Sequence, residues 1–416
     1  MNIKDINPWW KTGKVKEEIK KSIKRELLGK ILKYIDDKQI IITNGLRRSG
    51  KTVLMHQIID YLLEKKKVNP LKIFYYDFDL GKKPIRELLE EFKEITGTNF
   101  RKEKVWIFLD EVQKMEGWEE IVKLYYDNYN IKFFLSGSSS MIIEKKTKES
   151  LAGRAFIFRV DPLNFVEFLK LVSFKIEKKK IRIYEEEIKD LLNQYLLTGG
   201  FPEIAFWKDK EKIIKYIKES VIDRVIFIDI PKVFKVEEPE LLLRLLEIIA
   251  SSPGIILEYE NLASDLNRDR KTISNYLFYL ERAFLIQKLY QFSKNLLTSE
   301  KKLKKFYPSN VGFSLAYDVD ITKKVESLVA NITEAKFFYR KRLEVDIISL
   351  INKKILPIEV KYKTKVNVKE IRGMFEFMRK FELNEGLVIT KDYETSRKIK
   401  DKKVRFMPLW KWLLRQ

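Results

Sequence analysis

The chain has no cysteine in its 416 residues and a single histidine. The first absence removes disulfides, thiolate metal sites and cysteine nucleophiles together, and it fits a cytosolic protein. The second argues against a histidine-based catalytic triad; His56 falls inside a helix-spaced segment and reads as a packed helix residue. No stretch approaches the uninterrupted run of about eighteen apolar residues that a membrane-spanning helix needs. The first residues, Met1-Asn2-Ile3-Lys4-Asp5, form no apolar signal region, so the expectation is a cytoplasmic chain with no membrane span. Internal repeats and low-complexity tracts are also missing.

What is present is ample apolar material, 45% of residues, enough for several cores in a chain of this length. Lys and Arg number 83 against 60 Asp and Glu, a net charge of +23. An excess that large favours polyanionic partners, nucleic acid first (DNA is the expectation) and anionic membrane surfaces second. The same richness in Lys, Ile and Glu is also found in proteins of hot environments, where it needs no polyanion.

Gly45-Leu46-Arg47-Arg48-Ser49-Gly50-Lys51-Thr52 fits G-x-x-x-x-G-K-[ST] without a gap. The apolar run Gln39–Asn44 before it reads as a buried strand and Val53–Leu62 after it has helical spacing, the context this phosphate loop requires. Glycines let the backbone wrap the phosphates, while the helix N-terminus offers unpaired N–H groups. Lys51 would reach the β- and γ-phosphates and the Thr52 hydroxyl would bind Mg²⁺. A second strand, Val105–Leu109, ends in Asp110-Glu111, a Walker B pattern. Asp110 would hold the metal and Glu111 would orient or deprotonate the attacking water.

The next apolar run, Phe133–Leu135, leads into Ser136-Gly137-Ser138. In a parallel sheet this loop falls beside the phosphates, so Ser136 or Ser138 is a candidate for the γ-phosphate contact called sensor 1, or for a helix N-cap. Arg154, on the glycine-flexible Leu151-Ala152-Gly153-Arg154, is a candidate arginine finger, in cis or in trans, or a partner for a carboxylate of its own subunit. Arg47 and Arg48 within the loop could face phosphates, a partner subunit or the lid.

Further along, Glu260–Leu266 and Arg270–Leu277 read as two helices around the turn Asn267-Arg268-Asp269, followed by a strand at Leu285–Tyr290. That is the layout of a winged helix-turn-helix, with Arg268, Arg270 and Lys271 as candidate DNA contacts. Ser299–Lys305 reads as a basic, solvated linker. Near the C-terminus, Lys324–Ala330 reads as a helix carrying Glu326, and Glu344–Leu350 and Ile355–Lys361 as paired strands. Period-two alternation puts Glu359 and Lys361 on one face, where Asp346 could join them. Two carboxylates binding Mg²⁺ beside a lysine make a workable phosphodiesterase site.

Asn7-Pro8-Trp9-Trp10, the phosphate loop, Leu109-Asp110-Glu111-Val112-Gln113, Ser136-Gly137-Ser138-Ser139 and Leu151-Ala152-Gly153-Arg154 belong to one pattern. Pro162-Leu163 with Glu167-Phe168, and Leu197–Glu203, extend it. Together they resemble the prokaryotic, mostly archaeal, AAA+-type ATPases that carry a C-terminal domain of unknown function, over nearly the full length. The resemblance implies ATP as the nucleotide and an α/β fold: a P-loop parallel-sheet core with a helical lid, a winged-helix region and a C-terminal nuclease-like domain. Asp346…Glu359-x-Lys361 with helical Glu326 resembles the PD-(D/E)XK nuclease core. The expected domains are a lead over 1–30, an ATPase core over 31–162, a lid over 163–235, a winged helix over 236–305 and a nuclease-like domain over 306–416. The leading expectation is a Mg²⁺-dependent ATPase coupled to a DNA-binding C-terminal half. The alternatives are an ATP switch that signals to a protein partner and a nucleotide-gated nuclease. Self-association is left open.

Overall fold

The computed structural model describes residues 2–137, 149–175, 181–351, 354–399 and 401–416. The chain divides into two compact units: Met1–Phe174 with Phe201–Glu203 and Ile228–Lys235, and Lys175–Gly200 with Ile204–Phe227 and Val236–Gln416. Among the described residues no helix is long and apolar enough to cross a membrane.

The first unit is built on five parallel strands: β1 (Ile40–Asn44), β2 (Ile73–Asp77), β3 (Val105–Asp110), β4 (Ile131–Gly137) and β5 (Ala155–Arg159). Their order in the sheet is β2-β3-β4-β1-β5. The apolar runs are continuous because both faces of the central strands are covered, as in parallel sheets generally. Ile40, Ile42, Ile107, Leu109, Phe133 and Leu135 face one layer, which includes Leu88, Phe92 and Val122 of the helices Ile85–Thr96 and Trp118–Asn128. Ile41, Phe108 and Phe134 face the other, against Leu54, Met55, Ile58 and Leu62 of the helix Lys51–Glu64. Each fully buried aliphatic side chain contributes roughly 1.5–3 kcal/mol, so packing holds these helices more than intrinsic propensity does.

The Asn7-Pro8-Trp9-Trp10 lead seals the edge strand β2. The Asn7 side chain accepts from Tyr75 N at 2.7 Å and donates to Tyr75 O at 3.0 Å, as a neighbouring strand would. Both indole N–H groups, of Trp9 and Trp10, donate to Ile73 O at 3.0 and 2.8 Å. Edge backbone groups that would otherwise invite another strand are thereby satisfied.

The second unit carries helices at Glu185–Thr198 and Pro239–Ser251, then β6 (Ile255–Leu257) and the helices Tyr259–Asp265 and Arg270–Arg282. The strands β7 (Ile286–Gln291) and β8 (Lys304–Pro308) follow as an antiparallel pair, with β6 on the far side of β8. After the helix Ile321–Ile332 come β9 (Phe337–Arg340), β10 (Glu344–Ile351) and β11 (Lys354–Lys361). The helix Arg372–Lys380 then leads to β12 (Glu385–Thr390), β13 (Thr395–Ile399) and β14 (Lys402–Pro408). All nine strands form one mixed sheet, ordered β13-β14-β12-β11-β10-β9-β7-β8-β6. β7 runs parallel to β9. The expected boundary at 305/306 therefore falls inside β8, and no linker separates the strands on either side of it.

Candidate functional site

The sequence sets the phosphate loop between β1 and the helix Lys51–Glu64 through two glycines. A Cβ on Gly45 would stand 2.1 Å from Val160 O, so only glycine lets the chain leave β1 here. Gly50 has φ of 95°, a left-handed geometry that a side chain would strain. Lys51 opens the helix and its ammonium turns back over the loop, donating to Leu46 O at 3.1 Å, with Glu111 Oε1 at 3.8 Å. Asn44 Oδ1 and Ser49 Oγ are buried around the loop, without a hydrogen-bond partner among the described residues.

Because β4 lies between β1 and β3, the end of β4 brings a side chain to the carboxylate that ends β3. Ser136 donates to Asp110 Oδ1. Thr52 Oγ1 donates to Asp110 Oδ2 at 2.6 Å and Tyr75 OH to the same oxygen at 3.0 Å. The Asp110 carboxylate is thus buried, with hydroxyl donors and the Glu111 N–H at 3.1 Å around it, and among the described residues it has no ion-pair partner within 4.0 Å. Glu111 itself is left-handed, φ 51°, a strained setting that turns its side chain back beneath the loop, where Gln113 Nε2 donates to Oε2 at 2.7 Å.

This donor set suits a magnesium–nucleotide pair. Magnesium takes one or two protein oxygens and completes its shell with phosphates and water. Thr52 and Asp110 would supply those oxygens; among the described residues no group of three or more His, Asp or Glu could hold an ion by itself.

Further residues hold this site, of which Asp77, Tyr75, Arg25 and Asp229 were not singled out by sequence reasoning. Asp77 ends β2 directly beside Asp110. Burial, then the charges of Asp110 and Glu111, push its carboxyl up to about 7. Burial and Asp110 likewise raise Tyr75. Arg25 is buried behind the loop, donating to Ser49 O at 2.9 Å and Asp161 O at 2.8 Å, and it pairs with Glu167 at 3.0 Å. Glu167 in turn closes a capping box with Asn164. Arg47 makes a two-pronged bond to buried Asp229, at 2.8 and 2.7 Å, and Arg48 reaches Glu203 at 3.0 Å. A strand ending in an acid beside the Walker B strand could have flagged Asp77; no local signal marks Arg25 or Asp229. His56 packs between Trp9 and Tyr75, and burial lowers its pKa.

Arg154 is not brought to this site within its own chain. It precedes β5, and its carbonyl accepts from Ile40 N, so it sits at the N-terminal edge of a sheet whose C-terminal edge carries the loop. Its guanidinium pairs with Asp127 at 3.0 and 3.1 Å. Of the two readings of this arginine, the structure has the carboxylate pair, and the finger in cis is excluded by sheet polarity. Ser138 lies outside the described residues.

In the second unit, Glu326, Asp346, Glu359 and Lys361 do converge, with company. Glu359 lies opposite Asp346 across the β10–β11 pair, one step beyond Ile358 and Ile347. Lys361 Nζ is 2.8 Å from Glu359 and 3.7 Å from Asp346, whose Oδ2 accepts from Val360 N at 2.9 Å. Lys305 and Tyr307 of β8 reach Glu326 Oε1 at 2.8 and 2.5 Å. Lys305 also bonds Glu344 at 2.6 Å, and Lys323 bonds Glu326 at 2.8 Å. Lys305, expected in a solvated linker, is 1% exposed, because it lies in β8, a strand buried from Lys305 to Pro308, with its ammonium between Glu326 and Glu344. Burial, then the neighbouring Asp346 charge, raises Glu359 well above the usual range. Burial acts on Asp346 too, but Lys361, Lys305 and the Val360 N–H outweigh it and hold that carboxyl low.

The three candidate DNA contacts lie on exposed surface. Two are already paired: Arg268 with Glu238 at 2.9 and 2.7 Å, and Arg270 with Glu260 at 2.6 Å. Lys271 is exposed at the start of its helix.

Residues 37–169 match the AAA domain family, so the first unit carries an AAA-type P-loop ATPase domain. Two domains of unknown function match further along, DUF8612 over 189–322 and DUF4143 over 325–412. The chain is 29% identical to an uncharacterized protein of Methanocaldococcus jannaschii, covering 92% of this chain and 90% of that one. A second uncharacterized protein of that archaeon is 30% identical over 66% of this chain and 61% of its own length. Among solved structures, a Walker-type ATPase of Pyrococcus abyssi is 16% identical with a TM-score of 0.38, over 72% of this chain and 97% of that one. The Aeropyrum pernix ORC1 protein in complex with DNA is 12% identical with a TM-score of 0.31, over 78% and 96%.

Proposed function

We propose that the chain is a Mg²⁺-dependent ATP hydrolase whose nucleotide cycle is coupled to a basic C-terminal half that binds DNA. The observation that carries the hydrolase reading is Asp110, a buried carboxylate with only neutral donors around it, bonded to the hydroxyl that follows the phosphate-loop lysine. Lys51 would hold the β- and γ-phosphates, Thr52 and Asp110 the ion, and Ser136 the γ-phosphate or lytic water. Magnesium, when bound, screens the charge of the phosphate oxygens. Glu111, fixed by Gln113, would orient and deprotonate the attacking water.

DNA binding is supported by the net charge of +23 and by the order helix, β6, helix, helix, β7, β8, which is like that of a winged helix with a short helix, Leu296–Lys301, set between the last two strands. The convergence of Asp346, Glu359 and Lys361 favours a second reading of the C-terminal unit as a PD-(D/E)XK-type nuclease. The buried Lys305 weighs against metal-dependent cutting, since its ammonium already pairs with Glu326, the helical acid of that core, and with Glu344. We therefore read that unit as a binding module.

The test is ATP hydrolysis with and without DNA, in the intact chain and in Glu111→Gln and Lys51→Ala variants. Turnover that DNA stimulates and both variants lose supports the proposal. Binding without turnover, indifferent to DNA, would move the reading to a switch that signals to a protein partner. Mg²⁺-dependent cutting lost in Asp346→Asn would restore the nuclease.

A further inference from the structure

The C-terminal unit contains a groove of about 580 Å³ lined by Lys369, Arg372, Arg379 and Lys402, with Glu376 as its one acid. Arg372, Phe375, Glu376 and Arg379 stand three and four residues apart on the helix Arg372–Lys380, so they share one face of it. The opposite face of the same helix, Met374, Phe377 and Met378, is buried in the core, which leaves the cationic face outward. Phe375 is half-buried, and Val368 and Ile399 beside it line the groove with aliphatic surface.

Charge bookkeeping separates this groove from the rest of the basic surface. Arg268 and Arg270 are spent on Glu238 and Glu260. Among the described residues Lys369, Arg372, Arg379 and Lys402 make no ion pair within 4.0 Å; Lys402 donates to Asn384 Oδ1 at 3.3 Å. Four uncompensated cations around one carboxylate repel one another unless an anion joins them.

We propose that this groove binds single-stranded nucleic acid, its phosphates along Arg372, Arg379, Lys369 and Lys402 and one base against Phe375. A duplex offers phosphates but keeps its bases stacked inside, where the Phe375 ring has nothing to meet. An unpaired strand offers both, and strips of cations with an interleaved ring are how such strands are held. The inference deepens the nucleic-acid reading of the C-terminal half and rests on it, while moving the contacts away from Arg268, Arg270 and Lys271.

The experiment is fluorescence anisotropy of the full chain with labelled oligo-dT and oligo-U, across a salt series, for wild type and three variants. Arg372→Ala/Arg379→Ala should weaken binding at least tenfold and reduce the salt slope by about 1.4, at about 0.7 per lost phosphate contact. Phe375→Leu, which keeps the packing but not the aromatic face, should weaken binding about tenfold with the salt slope unchanged. Arg268→Ala/Arg270→Ala should leave single-strand binding intact. Unchanged affinity in both groove variants, with loss in the Arg268/Arg270 variant, would overturn the groove while keeping nucleic-acid binding elsewhere. No binding of either strand by wild type would overturn both the groove and the reading it rests on. Equal displacement by ATP alone, or by poly-glutamate, would overturn the single-strand assignment in favour of a mononucleotide or an acidic protein.

Discussion

Two buried carboxylate sites in this chain surround their acids with different partners and reach opposite electrostatic states. In the first unit Asp110 is held by the hydroxyls of Thr52, Ser136 and Tyr75, neutral donors that fix its position and leave its charge uncompensated. In the second unit Glu326, Asp346 and Glu359 lie among Lys305, Lys323 and Lys361. A buried charge must be paired or coordinated. The first site is left to be completed by a cation that arrives with a nucleotide; the second brings its own. Carboxylates near a lysine are therefore not diagnostic of metal chemistry until the partners of each oxygen are known.

The largest effect expected from this contrast lies at the first site. Glu111→Gln should retain ATP binding and lower hydrolysis by about 10²–10⁴-fold, the usual worth of a positioned base, as read by phosphate release. Lys305→Met comes next. It leaves Glu326 buried with one cation fewer and should cost about 3 kcal/mol in urea unfolding, most of it regained in Lys305→Met/Glu326→Gln. A Lys305→Met variant as stable as wild type would show the second site to be wet and screened, and the comparison would fail.

Arg25→Ala tests the support behind the phosphate loop. The buried Ser49 carbonyl loses its donor, at roughly 1–3 kcal/mol, and buried Glu167 loses its cation, so stability and nucleotide affinity should both fall. Asp229→Asn should act in the other direction on affinity: Arg47, released from its two-pronged bond, becomes available to phosphate, and nucleotide should bind a fewfold tighter by calorimetry.

The last effect is a pH dependence and concerns Asp77. Its carboxyl is raised to about 7 in the folded chain, so folding retains a proton that the unfolded chain releases near the usual aspartate value. The associated stability is complete below that value and is lost as pH rises toward 7. Asp77→Asn should flatten this decline, with melting temperatures of variant and wild type diverging between pH 4 and pH 7. Parallel pH profiles would mean that Asp77 is already ionised beside Asp110.

Much of the first site was legible because its determinants are local. A strand, two glycines, a lysine and a helix are contiguous in residues 40–64, and the hydroxyl at Ser136 follows from where a parallel strand ends. Arg25 and Asp229 were not legible, since each reaches the site across a long stretch of chain and neither sits in a patterned segment; Tyr75 lies in the apolar run of β2, but nothing local marks its hydroxyl as reaching Asp110. Of the readings of Arg154, polarity bears only on the finger in cis: a residue before a parallel strand belongs to the edge opposite the phosphate loop, and its guanidinium pairs with Asp127, the carboxylate alternative. Lys305 was hidden in a lysine-rich run that reads as solvent-facing; its burial follows from β8 lying inside the sheet, between β7 and β6, with Glu326 and Glu344 to receive the ammonium.

The most direct test is a titration of the intact chain with Mn²⁺, a paramagnetic stand-in for Mg²⁺, with and without ATP, in wild type, Asp110→Asn and Asp346→Asn. The account predicts one tight ion per chain, bound only with ATP, lost in Asp110→Asn and unaffected in Asp346→Asn. A tight ion bound without nucleotide and removed by Asp346→Asn would contradict it.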